Sequence, residues 1–256
     1  MLRTGDAAVT QEKTDFGFRQ VDVTEKTGLV GQVFDSVAGR YDVMNDLMSL
    51  GIHRAWKRQF VSSAGFRPGN RVLDLAGGTG DIARLAAPRV LPGGSVVVAD
   101  INRAMLDNGR RRMDDEGRIQ GLSWLQVNAE ALPFADRSFD GVTIAFGLRN
   151  VTHRDRALAE MYRVLKPGGR VHILEFSRVR LAALAPVYDA WSFHALPRLG
   201  QLVAGDGESY QYLAESIRRF PDQETLAGLL EDAGFERVRW TNLSGGICAI
   251  HRGLRS

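Results

Sequence analysis

The stretch that decides the fold is NRVLDLAGGTGDIA, residues 70–83. Its first half is a short apolar run, and residues 77–80 form a glycine-rich bend, as expected where a buried parallel strand runs into a tight turn. Asp81 then opens a helical pattern that reaches about Ala87. A strand, a glycine bend and a helix in this order are typical of the first unit of a nucleotide-binding α/β fold.

The alternation of strands and helices continues toward the C-terminus. We predict further strands at 95–100, 122–127, 139–146 and 170–176, with helices at 103–116, 154–165 and 224–233. Asn102 is predicted to cap the helix that follows it, and residues 166–169 are predicted to be only a turn into the strand at 170. Such alternation predicts a doubly wound, mostly parallel sheet whose ligands lie at the carboxyl ends of the strands.

Two last strands, at 235–243 and 247–251, complete a seven-stranded sheet. Only Ser244, Gly245 and Gly246 separate them. A parallel pair needs a connection of about a dozen residues or more, so these two strands must form an antiparallel hairpin. This hairpin is similar to the end of a class I S-adenosylmethionine-dependent methyltransferase fold, and it is unlike the second half of a dinucleotide-binding fold.

The flanking segments suggest additions to this α/β fold. Apolar residues at helical spacing predict an N-terminal helical cap, and residues 181–205 are an apolar, aromatic interruption of the alternation. We therefore divide the chain into five parts. They are an N-terminal extension (1–24), the helical cap (25–66), a cofactor-binding α/β core (67–180), an apolar helical insertion for substrate (181–221), and a C-terminal helix with the antiparallel strands (222–256).

Composition excludes several classes of protein. The 256 residues are 44% hydrophobic and 25% charged, and the formal net charge of +3 is scattered, which argues against a nucleic-acid partner. The single Cys248 excludes a disulfide framework and a multi-thiolate metal site, and no metal is expected. Because the chain contains no secretory signal and no apolar stretch of about 18 residues, we expect a cytoplasmic protein.

The glycine bend is compatible with two cofactors. Gly78, Gly80 and Ala83 satisfy the relaxed dinucleotide pattern, and Asp100 lies 22 residues after Gly78, where an acid that binds ribose is expected. Asp74 and Asp81 flank the bend, and two carboxylates would repel a diphosphate but attract an ammonium and a sulfonium. S-adenosylmethionine is therefore favoured, with an NAD(P)-linked oxidoreductase as the alternative. Asn128 and Ala129 follow the third strand and are candidates for the adenine edge.

Two long motifs resemble the signatures of the ubiquinone/menaquinone biosynthesis C-methyltransferases. They are YDVMNDLMSLGIHRAW at 41–56 and RVLKPGGRVHILEFS at 163–177, and the likeness extends over nearly the whole chain. The resemblance implies methyl transfer from S-adenosylmethionine to a ring carbon of a polyprenylated quinol. The acceptors would be demethylmenaquinol, 2-methoxy-6-polyprenyl-1,4-benzoquinol or both, and the motifs favour ubiquinone synthesis or both pathways over menaquinone alone. A non-catalytic cofactor-binding scaffold is the remaining alternative.

The resemblance places the family's cofactor contacts on Thr79, Asp100, Asn128 and Ala129. The family often has Ser at the position of Ala145, so a side-chain contact there would be lost and a backbone contact kept. The full set of predicted cofactor-binding residues is Asp74, Gly77, Thr79, Gly80, Asp100, Asn128, Ala129 and Ala145.

An aromatic carbon attacks a methyl sulfonium only after a neighbouring hydroxyl has lost its proton. Arg149, at the end of the fourth strand, is predicted to stabilise the phenolate or to orient a water, because a guanidinium cannot act as a base. The alternative for Arg149 is a structural pair with an acid. Asn150 is predicted to hold the same oxygen, and Tyr41 to close over the site.

Sequence alone does not rank the candidates for the general base. They are Asp46, His53, Asp189 and His194. His194 is carried with Arg149, Asn150 and Tyr41 as a predicted catalytic residue. His172 is expected in the core, and Glu175 is expected to be a strand-end acid.

Residues of the insertion are predicted to line an apolar groove for the isoprenoid tail, with packing inside a cap as the competing interpretation. The candidates are Leu184, Val187, Trp191, Phe193, Leu196 and Leu199. Peripheral contact with the inner face of the membrane, a quinone-biosynthesis complex and an oligomer are further expectations.

Overall fold

The computed structural model describes residues 12–37, 45–46, 49, 51–204 and 207–256. Tyr41, one of the predicted catalytic residues, lies outside the described residues. The elements, in chain order, are β1 (Lys13–Phe16), β2 (Arg19–Asp22), α1 (Val23–Val37), α2 (His53–Ala64), β3 (Arg71–Leu75), α3 (Asp81–Val90), β4 (Ser95–Asp100), α4 (Arg103–Asp115), β5 (Leu122–Gln126), β6 (Phe139–Ala145), α5 (Arg154–Val164), β7 (Leu165–Phe176), α6 (Ala185–Ala190), α7 (Leu196–Ala204), α8 (Gly207–Arg219), α9 (Gln223–Asp232), β8 (Glu236–Leu243) and β9 (Cys248–Leu254).

The main sheet has seven strands in the order β5-β4-β3-β6-β7-β9-β8. Strands β5, β4, β3, β6 and β7 are parallel, whereas β9 is antiparallel to both β7 and β8. The predicted doubly wound, mostly parallel sheet with a C-terminal antiparallel hairpin is confirmed. The strand order reverses at β3, and a ligand cleft is expected at the carboxyl ends of the strands beside that point.

Two helix layers cover the sheet, which explains why its central strands are apolar on both faces. On one face Phe60 of α2 and Ile82 of α3 pack with Val98 of β4. On the other face Met161 of α5 packs with Leu73 of β3 and its neighbours. The predicted cap on α4 is present, since the Asn102 Oδ1 accepts a hydrogen bond of 2.9 Å from the Met105 N–H.

The prediction of a turn at residues 166–169 is wrong, because β7 already begins at Leu165. Gly168 has a φ of +81°, and its N–H donates to the carbonyl of Arg255 at 2.7 Å. The Arg255 N–H in turn donates to the carbonyl of Gly169 at 2.9 Å. The C-terminal residues of the chain therefore pair with a segment whose sequence is typical of a turn, and the strand is extended.

A small hairpin of β1 and β2 precedes α1 and was not predicted. Its strands are antiparallel, with Phe16 paired to Arg19 across the turn. The Phe18 N–H donates to Glu215 of α8 at 2.9 Å, and the ring of Phe16 stacks on that of Tyr212 at 4.2 Å. The hairpin is thus attached to α8, which lies almost two hundred residues away in the chain.

The insertion is helical, as predicted. A five-residue π-helical turn, Trp191–Ala195, joins α6 to α7. Leu196 is buried, whereas Val187 and Leu202 are 64% and 81% exposed. Within the described residues, no helix combines the length and the apolar character that a membrane crossing requires.

Candidate active site

A cleft lies at the carboxyl ends of β3, β4 and β6, where the topology predicts it. It encloses about 860 Å³, part of which is open to solvent, a size in the range of small-ligand sites. We call it the main cleft. It is lined by residues from segments 75–78, 99–105, 127–130 and 146–152, and by Thr27, Val30, Gly31 and Phe34 of α1.

The glycine bend brings backbone atoms close to the main cleft. The Gly80 N–H donates to the Gly77 carbonyl at 2.8 Å, and Gly78 and Gly80 have φ values of +51° and +81°. A Cβ on Gly80 would lie 2.6 Å from the indole of Trp124. The conformation therefore requires glycine. Gly78 lines the main cleft, whereas Gly80, a predicted cofactor-binding residue, does not.

Asp100 ends β4 and lines the main cleft. Its Oδ2 accepts the Gly78 N–H at 2.9 Å, and its Oδ1 accepts the Asn102 N–H at 2.8 Å. Burial raises the pKa of this carboxyl, while the backbone N–H groups oppose the shift. Because each carboxylate oxygen accepts more than one hydrogen bond, Asp100 keeps capacity for two ribose hydroxyls.

Asn128 and Ala129 follow β5 and also line the main cleft. The Asn128 Oδ1 accepts the Glu130 N–H at 2.9 Å within a local turn. The Glu130 Oε1 accepts the N–H groups of Thr152 and His153, both at 3.1 Å, and so ties this turn to the loop after β6. The side-chain oxygen of Asn128 is therefore engaged in shaping a turn that lines the main cleft.

A smaller cavity of about 340 Å³ adjoins the main cleft and shares Ala76, Gly78 and Phe146 with it. The predicted residues Asp74, Gly77, Thr79 and Ala145 line this small cavity. Asp74 is fully buried: its Oδ1 accepts the Thr143 hydroxyl at 2.7 Å, whereas its Oδ2 has no hydrogen-bond partner among the described residues. Burial raises the pKa of Asp74 to about 7. A buried, unsatisfied carboxyl oxygen fits the ammonium of S-adenosylmethionine.

Asp81 is not the free negative charge that we expected at the start of α3. Its carboxylate binds Lys57 Nζ at 2.7 Å and Arg112 Nη2 at 2.6 Å. Although burial opposes ionisation, these two cations hold the pKa of Asp81 well below its usual range. Two cations neutralise the acid, so the argument that it repels a diphosphate is wrong. Asp74 is then the acid beside the bend that favours a cationic ligand.

Arg149 lies in the 3₁₀ turn Leu148–Asn150 that follows β6. Its Nη1 binds the Glu175 Oε1 at 2.9 Å, and both side chains are 2% exposed. Nη1 also donates to the Phe146 carbonyl, and the backbone N–H of Arg149 donates to the Glu175 Oε2 at 3.3 Å. This is the geometry of the structural alternative, a pair with an acid. Contact of the guanidinium with a quinol oxygen stays a prediction.

Asn150 lines the main cleft, and its Oδ1 accepts the hydroxyl of Tyr212 at 3.0 Å. Tyr212 was missed by the sequence analysis, as were the residues of α1 that line the cleft. Helical periodicity indicates that such residues are buried, but it does not show what they face. Lys26 of α1 was also missed: it is buried beside the loop after β6, and burial lowers its pKa to about 8.

None of the four candidate bases lines the main cleft or the small cavity. Asp46 binds His53 Nε2 at 2.9 Å and Arg54 at 2.6 Å, and burial lowers the pKa of His53. Asp189 pairs with Arg218, and His194 is exposed on the π-helical turn. His172 is in the core, as predicted, where burial lowers its pKa to about 3. The base role of these residues stays a prediction.

Comparison with known proteins identifies the family. Residues 20–255 match the model of the ubiE/COQ5 methyltransferase family. The chain belongs to this family. The resemblance stated from the two motifs is thereby confirmed.

Relatives of the ubiE/COQ5 family cover almost all of the chain. It is 57% identical, over 96% of its length and 98% of the relative's, to the ubiquinone/menaquinone biosynthesis C-methyltransferase UbiE of Edwardsiella ictaluri. The identity to UbiE of Yersinia pestis is also 57%, over 96% of this chain and 99% of the relative. As a member of the ubiE/COQ5 family, the protein is a methyltransferase, and S-adenosylmethionine is its cofactor, as predicted.

More distant solved structures agree with the fold of the ubiE/COQ5 family member. A methyltransferase from Aquifex aeolicus has a TM-score of 0.58 at 19% identity, covering 78% of this chain and 89% of that chain. A possible histamine N-methyltransferase from Thermotoga maritima has a TM-score of 0.62 at 21% identity, covering 88% of this chain and 99% of that chain. The class I methyltransferase fold is confirmed.

Proposed function

We propose that the protein transfers a methyl group from S-adenosylmethionine to a ring carbon of a polyprenylated quinol in ubiquinone or menaquinone biosynthesis, or in both. The observation that carries the proposal is the 57% identity to UbiE proteins over nearly the whole chain. The shape of the site supports the proposal, because the main cleft and the small cavity adjoin each other and much of the wall of the main cleft is apolar.

We propose that the two cavities divide the cofactor between them. Asp100 would bind the ribose hydroxyls and the backbone at Asn128 and Ala129 the adenine, while the Asp74 carboxyl would bind the ammonium in the small cavity. The remaining wall of the main cleft is apolar, with Val30, Phe34 and Phe146 among the lining residues. Asn150 supplies a polar group in this wall, which is the composition that a flat aromatic ring with one bound oxygen requires.

S-adenosylmethionine supplies an electrophilic methyl group. A ring carbon would form a bond to that methyl as the bond from sulfur to carbon breaks and S-adenosylhomocysteine leaves, and the ring would then lose its proton to water and regain aromaticity. The protein's own contribution is to align the ring and keep water out. Alignment of this kind lowers the activation barrier by up to about 7 to 11 kcal/mol. A general base raises the rate by roughly 10²- to 10⁴-fold, which is the smaller effect. We therefore infer that positioning residues dominate catalysis.

We propose that α6 and α7 receive the isoprenoid tail and touch the membrane surface. Val187 and Leu202 expose apolar side chains, and the exposed Arg198 lies between them in the chain. An apolar patch with a cation beside it suits the interface of an anionic bilayer. A quinone-biosynthesis complex and an oligomer, both expected from the sequence, belong to this proposal as additional partners.

The test is a methylation assay with the reduced forms of demethylmenaquinone and the methoxy-polyprenyl-benzoquinone side by side, each with S-adenosylmethionine. We expect a methylated product from at least one quinol. Failure with both quinols, combined with tight binding of S-adenosylhomocysteine, would favour a non-catalytic scaffold. Binding of NAD(H) without binding of S-adenosylhomocysteine would favour the oxidoreductase.

A further inference from the structure

The amide of Asn150 has a defined orientation in the main cleft. Its Oδ1 accepts the hydroxyl of Tyr212 at 3.0 Å, so the oxygen side of the amide faces α8. Within the described part of the chain no residue accepts a hydrogen bond from Nδ2, and Nδ2 is not a buried, unsatisfied atom either. The donor side of the amide is therefore available to a ligand.

Tyr212 is held firmly enough to impose this orientation. It is 6% exposed, and its ring stacks on Phe16 with centroids 4.2 Å apart and an angle of 21° between the planes. Phe16 ends β1, and the adjacent turn is attached to α8 through the hydrogen bond from the Phe18 N–H to Glu215. The unpredicted hairpin thus packs against Tyr212, whose hydroxyl contacts Asn150.

The hydroxyl of Tyr212 keeps its proton near neutral pH, because burial raises its pKa to about 12. A neutral tyrosine hydroxyl can donate or accept, and here it donates to the Asn150 Oδ1. With Oδ1 bound to Tyr212, the Nδ2 donors lie on the other side of the amide.

The backbone of Asn150 is fixed from the opposite side. The ion pair of Arg149 with Glu175, together with the hydrogen bond from the Arg149 N–H to Glu175, secures the turn that carries Asn150. Nη1 of Arg149 is engaged by the Glu175 carboxylate and by the Phe146 carbonyl. Asn150, and not Arg149, lines the main cleft, so the neutral amide is a donor that this turn presents there.

We propose that Tyr212 is a positioning residue that turns the Asn150 amide so that Nδ2 donates to the ionised ring oxygen of the acceptor. The inference rests on the proposed function, because it needs an acceptor whose oxygen becomes negatively charged before methyl transfer. A donor facing that oxygen favours the phenolate over the phenol, and so lowers the pKa of the bound acceptor.

The first test compares Tyr212→Phe with the wild-type protein and with Tyr162→Phe as a matched control. Tyr162 belongs to α5, where its ring packs on Phe235 away from the cleft. Tyr212→Phe keeps the stacked ring and removes only the hydroxyl. We expect kcat to fall about 10- to 100-fold, because a hydrogen bond to a charged group is lost. The KM for S-adenosylmethionine should change less than about twofold.

A second readout separates positioning from a general structural role. If the amide stabilises the phenolate of the bound quinol, the acidic limb of the pH profile of kcat should move to higher pH by about one unit in Tyr212→Phe. It should not move in Tyr162→Phe. An unshifted limb with unchanged kcat in Tyr212→Phe would overturn the inference.

A second variant tests the direction of the amide. Asn150→Asp keeps the size of the side chain and replaces the donor by a carboxylate, which would repel a phenolate. We expect Asn150→Asp to be less active than Asn150→Ala while both bind S-adenosylhomocysteine as the wild type does. An Asn150→Asp enzyme with wild-type activity would show that an acceptor atom faces the ring, and would overturn the inference.

Different results would reject the proposed function and the positioning role of Tyr212. If the wild-type protein methylates neither quinol, the proposed function and this inference fall together. If the wild type is active and Tyr212→Phe equals it in kcat and pH profile, only the inference falls.

Discussion

The carboxyl of Asp74 accepts a 2.7 Å hydrogen bond from the hydroxyl of Thr143 across the interface of β3 and β6. This contact uses one carboxyl oxygen, and the other has no hydrogen-bond partner among the described residues. Asp74 also lines the small cavity. Ionising a carboxyl group inside a sheet costs free energy when one of its oxygens has no hydrogen-bond partner. Ionisation becomes favourable only when a cation lies beside the group. We therefore expect the ionisation of Asp74 to be linked to the binding of a cationic ligand.

Cofactor binding should release protons near neutral pH. The pKa of Asp74 in the free protein is about 7, so the group is mostly protonated at pH ~6.5, and an ammonium beside it favours the ionised form. Titration calorimetry with S-adenosylhomocysteine at pH ~6.5, in buffers of different ionisation enthalpy, measures this release. Asp74→Asn should abolish it and weaken binding about 10- to 100-fold. An equal proton release in Asp74→Asn would contradict the assignment.

The same group should make the free protein less stable as the pH rises. The folded pKa of about 7 lies above the ordinary value of 3.8, so the native state binds the proton more tightly than the unfolded state does. The stability that Asp74 contributes is complete below pH 3.8 and is lost as the pH rises toward about 7. We expect the free energy of unfolding, measured by urea denaturation, to fall over this window in the wild type relative to Asp74→Asn. A constant difference between the two proteins would contradict the shift.

Asp100→Asn should impair capture of the cofactor before it impairs turnover. The amide keeps the shape of the side chain, but an NH₂ group replaces one of the two carboxylate oxygens. That group cannot accept a hydrogen bond from the Gly78 or Asn102 N–H or from a ribose hydroxyl. The KM for S-adenosylmethionine is expected to rise about 10- to 100-fold, with a smaller fall in kcat. Asp107→Asn, on the exposed face of α4, is the control and should leave both constants unchanged.

The ion pair of Arg149 and Glu175 should behave as one structural unit. Both side chains are 2% exposed, so removing one charge leaves the other buried without its partner. We expect Arg149→Met or Glu175→Gln alone to lower the free energy of unfolding by about 3 to 5 kcal/mol. The double variant should lose much less than the combined single losses, which a double-mutant cycle of urea denaturation measures. Additive losses would show that the two residues act independently.

Features of the fold that depend on near neighbours were predictable. Asn102 caps α4 through a bond to a residue three positions away, and the three residues between β8 and β9 force an antiparallel pair. The β1–β2 hairpin was not predictable in this way. It is attached through Phe18 to Glu215, 197 residues further along the chain, and its own sequence is mostly polar.

In the candidate site, too, features set by near neighbours in the chain were predictable, and features set by distant residues were not. Asp100 and Asn128 could be predicted because they follow strands whose carboxyl ends must lie together. Neutralisation of Asp81 could not be predicted, since Lys57 and Arg112 reach it from two other helices. The Arg149–Glu175 pair likewise joins two segments that only the folded sheet brings together. Sequence therefore indicates which residues reach the edge of the sheet, whereas the partners that set their charge come from tertiary structure.

The most direct test of the central claim is to identify the atom that receives the methyl group. The purified protein would be incubated with S-adenosylmethionine labelled with ¹³C in its methyl group and with each reduced quinol, and the products examined by NMR. We predict a new methyl signal coupled to a ring carbon. A labelled methyl ether, or no label in either quinol, would contradict the account.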